Sequence, residues 1–159
     1  MSEKDKLLSG IKIKNDSIFS LDELYKMMYR WFENKGFQFA ETEYRKHGTG
    51  DYLEIMWYAE KPLDAYAKVT IEIAIMVLGL EKVEIEIEGV KSKSNKCGVE
   101  MKIDVNLIRD YQDKFGPKIR KLYETFIIKK RLDDYEHTVL DAGNSLISEI
   151  KSFLKLHEF

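Results

Sequence analysis

The sequence predicts a mixed α+β protein built around an antiparallel meander sheet of about five to six strands. Three observations predict it. A helix signature occupies residues 20–36, strictly alternating apolar and polar residues run through 37–108, and helical periodicity returns over 117–157. We therefore expect one N-terminal helix before the sheet and long C-terminal helices packed on it.

The N-terminal third predicts an arm and a capped helix. In residues 1–19 two isoleucines alternate with lysines, which predicts a short edge strand. Ser20 and Glu23 then have the spacing of a capping box, in which each side chain can satisfy a free amide of the first turn. Apolar residues follow at intervals of three and four, and Gly36 supplies a helix stop.

Four stretches of strict alternation, centred near Ile55, Ile73, Ile85 and Ile103, predict the central strands. Alternation gives one buried and one hydrated face, which is typical of antiparallel pairing. The links between the stretches are short and contain turn residues, so we expect hairpins. The face opposite the main core also carries tyrosine and methionine, and we expect the C-terminal helices to cover it in preference to another subunit or a partner.

The C-terminal region carries two apolar stripes, one over 119–126 and one over 132–153, which do not lie on the same side of one straight helix. Either the chain breaks between residues 127 and 132, or a continuous helix changes partners there. We prefer two helices, because one chain can then bury both stripes itself. The first stripe is expected to face the core.

This order of elements resembles that of helix-grip domains, the START-like class, over most of the chain. In that class a curved sheet wraps a long C-terminal helix around a ligand cavity. The chain differs from the pattern in having a single helix before the sheet. The resemblance implies a cavity between the sheet and the C-terminal helix.

Composition limits the function classes. The 159 residues fit one domain over 1–159, and the formal net charge of −2 gives no overall attraction to nucleic acid. Cys97 is the only cysteine, which excludes an intramolecular disulfide and fits a reducing compartment. The N-terminus lacks the apolar core of a signal peptide, and no apolar run is long enough for a membrane span. We expect a cytoplasmic protein.

Candidate catalytic and metal-binding residues are few. The three histidines, His47, His137 and His157, show no metal-ligand spacing. The glutamates of residues 84–88 alternate with apolar residues, as on any solvated strand face. Cys97 has no neighbouring base in the sequence. We expect no metal and no cofactor, and an enzyme ranks below a binding protein.

One local charge anomaly stands out in residues 117–131, which contain six basic residues and a single acidic residue, Glu124. Such a segment can bind phosphates, RNA or an anionic membrane surface, although lysines also flank any half-buried helix. We prefer the solvated flank and keep phosphate or RNA binding as an alternative. The candidate binding residues are Lys118, Arg120, Lys121, Lys129, Lys130 and Arg131.

From the sequence we prefer a non-catalytic binding or assembly module that acts through the C-terminal helices. Its partner is another protein or a second copy, bound by the second stripe. The candidate assembly residues are Leu132, Tyr135, Val139, Ala142 and Leu146. The alternatives are a small-molecule or lipid carrier with a cavity between the sheet and the C-terminal helix, and a phosphate- or RNA-binding accessory protein.

Overall fold

Five antiparallel strands and three helices make up residues 2–48 and 51–156, the part of the chain that the computed structural model describes. The strands form one sheet in the order β1-β5-β4-β3-β2. This confirms a mixed α+β protein with an antiparallel sheet. The elements are β1 (Glu3–Phe19), α1 (Leu21–Asn34), β2 (Gln38–His47), β3 (Tyr52–Pro62), β4 (Ala67–Ile87), β5 (Val90–Arg109), α2 (Pro117–Phe126) and α3 (Lys129–Leu156).

The first strand is much longer than the predicted edge strand. β1 pairs with β5 from Glu3, opposite Arg109, to Phe19, and its register shifts on either side of Leu8. Gly10 lies nearby at a φ of 63°, and its amide donates to Asp104 Oδ1 over 2.6 Å. These irregularities break the alternation that reveals a strand in sequence. The helix α1 therefore follows the first strand of the sheet, and the prediction of a helix before the sheet is wrong.

The helix α1 has the predicted cap and stop. Ser20 Oγ accepts a hydrogen bond of 3.2 Å from the Glu23 amide. Gly36 ends the helix region at a φ of 79°, a backbone conformation that glycine adopts without a steric penalty. The buried face contributes Phe32, whose ring contacts Trp57 of β3.

One face of the sheet carries the aliphatic core, and α1 and α3 cover it. The approach of α3 is close: a Cβ added at Gly143 would lie 2.9 Å from Leu8 Cδ1 and 3.0 Å from Val105 Cγ2. On the opposite face Met56 and Leu78 are 42% and 43% exposed. The expectation that the C-terminal helices cover that face is wrong, because α3 packs against the aliphatic face, which has more apolar area to bury.

The C-terminal region is two helices, as preferred from the sequence. α2 ends at Phe126 and α3 begins at Lys129. Between them Ile128 is buried, with only 2% of its surface exposed, whereas Ile127 is 71% exposed. Among the described residues, no helix combines the length and apolarity that a bilayer crossing requires.

Candidate functional site

The helix α2 lies over one end of the sheet and is held there by buried charges. Its approach begins at Asp110, which follows β5 with a φ of 51°. The Asp110 carboxylate accepts hydrogen bonds from the amides of Lys114 (2.9 Å) and Phe115 (3.2 Å). This fixes the turn that leads into Pro117, the first residue of α2.

Arg120 is the central anchor of α2, and only 3% of its surface is exposed. Its Nε and Nη2 atoms lie 3.3 and 3.2 Å from Asp110 Oδ2, and its Nη1 atom lies 2.9 Å from Glu3 Oε1. Nη2 also donates to the carbonyl of Phe115 over 3.3 Å. A buried guanidinium is tolerated when its donors are paired in this way. Arg120 therefore ties α2 to β1 and to the segment after β5.

Glu124 makes a second buried link one helical turn later. It accepts hydrogen bonds from Tyr66 and from Arg109, and Arg109 also binds Asp5 of β1 through Nε (2.7 Å) and Nη2 (3.2 Å). The hydrogen bonds to Asp5 and Glu124 outweigh burial and raise the pKa of the Arg109 guanidinium. Burial and the Glu124 carboxylate raise the pKa of Tyr66. Arg109 therefore stays positively charged and Tyr66 stays neutral at neutral pH.

Asp64 joins the loop between β3 and β4 to the start of α3. It accepts hydrogen bonds from the amides of Tyr66 (2.7 Å) and Ala67 (3.0 Å) and from the Tyr135 hydroxyl, and Arg131 Nη1 lies 3.9 Å away. Burial alone would raise the pKa of Asp64, but these hydrogen bonds and the Arg131 charge outweigh it and hold the pKa below its usual range. The base of α3 is thus fixed beside α2.

The outward side of α2 is apolar. Ile119, Leu122, Phe126 and the following Ile127 are 60%, 58%, 77% and 71% exposed. The helical spacing of Ile119, Leu122 and Phe126 places them away from the side that carries Arg120 and Glu124, and Ile127 follows as the residue that ends the helix. Large apolar side chains grouped in this way on a surface mark interaction sites more often than chance. We call these four residues and four exposed lysines the α2 surface; its lysines are Lys118, Lys121, Lys129 and Lys130.

The candidate basic residues do not form one set. Lys118, Lys121, Lys129 and Lys130 are exposed and lie close to the apolar residues in the sequence, whereas Arg120 is buried in the anchor. Arg131 is exposed but lies near Asp64. The exposed basic side chains left to meet a polyanion are therefore lysines that alternate with apolar residues along the chain.

The candidate assembly residues lie mostly inside the chain. Tyr135, Val139 and Leu146 are buried, with 5%, 0% and 0% of their surfaces exposed. Leu132 and Ala142 are half-buried and pack against the same core. The aliphatic face of the sheet covers most of this stripe, so on the folded chain Tyr135, Val139 and Leu146 are occupied by the protein's own core.

Two of the cavities beside the C-terminal helices bear on function. One, of about 370 Å³, lies between the end of α1, the sheet and α3. Phe37, Val69 and Ala142 contribute its apolar wall, and its charged lining residues are Lys35, Lys61 and Asp141. The other, of about 240 Å³, lies beside α2 and is lined by Asp64, Ala65, Tyr66, Asp110, Lys114, Phe115, Tyr123 and Arg131.

The smaller cavity offers few polar groups that are available to bind a ligand. Phe115 and Tyr123 stack on one another with ring centroids 4.9 Å apart and form an aromatic wall. The carboxylates of Asp64 and Asp110 both accept hydrogen bonds from the protein itself. It is therefore better understood as the space left between the anchoring groups than as a ligand site.

Reactive groups are scarce around these surfaces. Cys97 is buried in β5, and burial and then Asp16 raise the pKa of its thiol to about 11, so the thiolate is rare at neutral pH. His47 lies 3.4 Å from Glu54 on an exposed strand. Within residues 2–48 and 51–156 no group of three or more histidine, cysteine or carboxylate side chains is placed to hold a metal ion. His157 lies outside the described residues.

The chain was compared with family models, curated proteins and solved structures. None of them matches it. Its function must therefore be inferred from the residues and geometry of the molecule itself.

The apolar residues of the α2 surface were not predicted from the sequence, because the stripe over 119–126 was expected to face the core. One signal was present. Arg120 and Glu124 are four residues apart, so they share one side of the helix, and they lie away from Ile119, Leu122 and Phe126. Two opposite charges on one side of a helix, such as Arg120 and Glu124, can be buried when each is paired. Exposed ion pairs on helices have the same spacing, so the signal is not specific.

Proposed function

We propose that the protein is a non-catalytic binding module that contacts its partner through the α2 surface. A single observation carries this proposal: α2 turns Arg120 and Glu124 inward, whereas Ile119, Leu122 and Phe126 lie outward. Arg120 is 3% exposed and Phe126 is 77% exposed. A helix selected only for stability would be expected to have the reverse arrangement.

The apolar residues supply a limited binding energy. Covering a large aliphatic or aromatic side chain is worth about 1.5–3 kcal/mol when it starts fully exposed. The four side chains start 58–77% exposed, so together they supply about 4–8 kcal/mol. Part of this offsets the entropy lost on association. The apolar contact alone therefore supports weak binding, and the lysines at its edge must contribute to a tighter complex.

A second copy of the chain is a poor partner for this surface. Two α2 surfaces placed face to face would bring the lysines of both copies together, including Lys129 and Lys130. Like charges at close range oppose association. The partner that complements the surface is therefore apolar at its centre and negatively charged at its edge.

The proposal can be tested with a photo-crosslinking amino acid in place of Phe126. The protein is irradiated in an extract of its source cells with the membranes retained, and a matched protein carries the same group in place of Val90. Val90 is 66% exposed and lies in the β4–β5 hairpin, outside the α2 surface. We expect an adduct, to protein or to lipid, from position 126 that position 90 does not give. Equal labelling from both positions, or none, would refute the proposal.

The cavity of about 370 Å³ supports a second candidate function, a carrier of a small amphipathic molecule. A sheet whose aliphatic face holds a long C-terminal helix is compatible with a helix-grip-like arrangement, and the cavity lies between these elements. Its wall of Phe37, Val69 and Ala142 suits an apolar body, and Lys35 and Lys61 outnumber Asp141, so the lining favours an acidic head over a basic one.

The carrier function has its own test. Native mass spectrometry of the purified protein should show a bound small molecule, and Ala142→Phe should remove it by filling the cavity. Lys12→Ala, on the β1 strand, is the control, because Lys12 is exposed and does not line the cavity. A ligand-free mass spectrum together with no thermal stabilisation by fatty acids would exclude this candidate.

A further inference from the structure

We infer that the partner of the α2 surface is the anionic surface of a lipid bilayer. This inference rests on the proposed function, since it names what the α2 surface binds. An amphipathic helix that binds such a surface combines bulky apolar side chains with lysine or arginine at their border. In α2 the apolar group is Ile119, Leu122, Phe126 and the adjoining Ile127, all more than half exposed.

The charge of the outward side fits a layer of acidic headgroups. Glu124 is the only carboxylate in residues 117–131, and it is turned inward to Arg109 and Tyr66. The lysines before and after the apolar group stay exposed. The nearest acidic residues along the chain are Asp113 before α2 and Asp133 and Asp134 in α3, which follow Lys129 and Lys130 by four residues. The outward positive charge is therefore least compensated at Lys118 and Lys121, because the one carboxylate of α2 is turned inward.

The anchors of α2 fix how it would lie on a bilayer. Arg120 and Glu124 hold the inner side of the helix against the sheet, so the axis of α2 cannot turn into the membrane without breaking these pairs. The helix would lie in the plane of the headgroups, with Phe126 and Leu122 reaching toward the acyl chains. Lysine side chains at the same depth can extend to the phosphates.

The other classes of partner fit less well. A stable protein interface buries about 800 Å² on each side and is shaped to its partner. The four apolar side chains of the α2 surface cover a smaller area than this. A bilayer needs no matched shape, because its lipids rearrange around the side chains that enter it. Nucleic acid would use aromatic stacking beside the lysines. Here only Phe126 can stack, and the three residues around it are aliphatic.

The experiment is co-sedimentation of the full chain with vesicles. One set contains phosphatidylcholine alone, and the other contains phosphatidylcholine with phosphatidylglycerol, both at physiological salt. We expect binding to the anionic set and little to the neutral set. Lys129→Ala with Lys130→Ala should lower the partition coefficient about 20- to 30-fold, about fivefold for each lysine. Phe126→Ser with Ile127→Ser should lower it by more than about tenfold.

Matched controls use residues outside the surface. Val90→Ser removes an exposed apolar side chain, and Lys91→Ala with Lys93→Ala removes two exposed lysines. Neither should change the partition coefficient. Insertion is measured by the tryptophan fluorescence of Phe126→Trp, whose emission should shift to the blue on anionic vesicles. Trp31 and Trp57 are buried and give a constant background.

Four results would overturn the inference. The first three are no binding to either vesicle, equal binding to both, and no effect of the substitutions in the α2 surface. The fourth is tighter binding to single-stranded RNA that does not depend on Phe126 and Ile127. A crosslink from position 126 to a protein, together with no vesicle binding, would retain the binding module and exclude the bilayer. Failure of both experiments would remove the proposed function as well.

Discussion

Replacing Arg120 by leucine should destabilise the protein strongly, even though leucine is a better match to an apolar interior. The substitution removes every hydrogen bond of the guanidinium and leaves the carboxylate of Asp110 buried at 2% exposure. Breaking a buried ion pair by removing one partner costs about 3–5 kcal/mol. Asp110 keeps the amides of Lys114 and Phe115 as donors, so we expect the lower end, about 3 kcal/mol.

The measurement is urea unfolding followed by circular dichroism, with a thermal scan beside it. A loss of about 3 kcal/mol corresponds to a fall in Tm of about 6–12 °C for a chain of this length. Lys121→Leu, an exposed position in the same helix, is the matched control and should stay within about 0.5 kcal/mol of the wild type.

A second substitution tests the cause. If an uncompensated Asp110 charge is responsible, adding Asp110→Asn to Arg120→Leu should restore about 1 kcal/mol or more, because the neutral amide costs less to bury. Trypsin should also cleave at Lys118 and Lys121 faster in the single variant than in the wild type. A loss below about 1 kcal/mol for Arg120→Leu would refute the view that buried charges hold α2 in place.

Three further predictions concern other parts of the molecule. Asp64→Asn should lower the urea midpoint at pH 7. The folded-state pKa of Asp64 lies below its unfolded value of about 3.9, so the stabilisation by the carboxylate is complete above that pH. It is lost as the pH falls through the folded-state pKa, so the difference in urea midpoint between the two proteins should close in acid. A difference that stays constant with pH would contradict this prediction. Cys97 should react with a thiol reagent at pH 8 only after unfolding, and rapid labelling of the native protein would show that its burial is wrong. Gly143→Ala should lower the free energy of unfolding by about 1 kcal/mol despite its better helix propensity, because the new methyl group meets Leu8 and Val105, and a stabilised variant would contradict the close approach of α3.

The elements with regular patterns could be predicted from the sequence. The start of α1 at Ser20 and the strands around Ile73 and Ile103 follow from a capping box and from alternation, which are local signals. The length of β1 could not be predicted, because Leu8 and Gly10 lie where its register shifts. A bulge removes the period of two on which the prediction depends.

The orientation of α2 could not be predicted for a different reason. Periodicity locates an apolar side and a charged side, but it does not say which one faces the protein. Here Arg120 and Glu124 find partners in Glu3 and Tyr66, which are distant in sequence, as well as in Asp110 and Arg109 shortly before α2. The six basic residues therefore form one segment of the sequence but not one surface of the fold, since the burial of each side chain depends on partners outside α2.

The pairing of the first strand with the last has a consequence for the order of folding. Glu3 lies opposite Arg109, so β1 cannot complete the sheet until more than two thirds of the chain has been synthesised. Contacts between such distant residues form late and slow the folding of a domain. Glu3 and Asp5 of β1 also bind Arg120 and Arg109, which hold α2. The α2 surface is thus fully assembled only after β1 has docked, so an incompletely folded chain would not present the same surface to a partner.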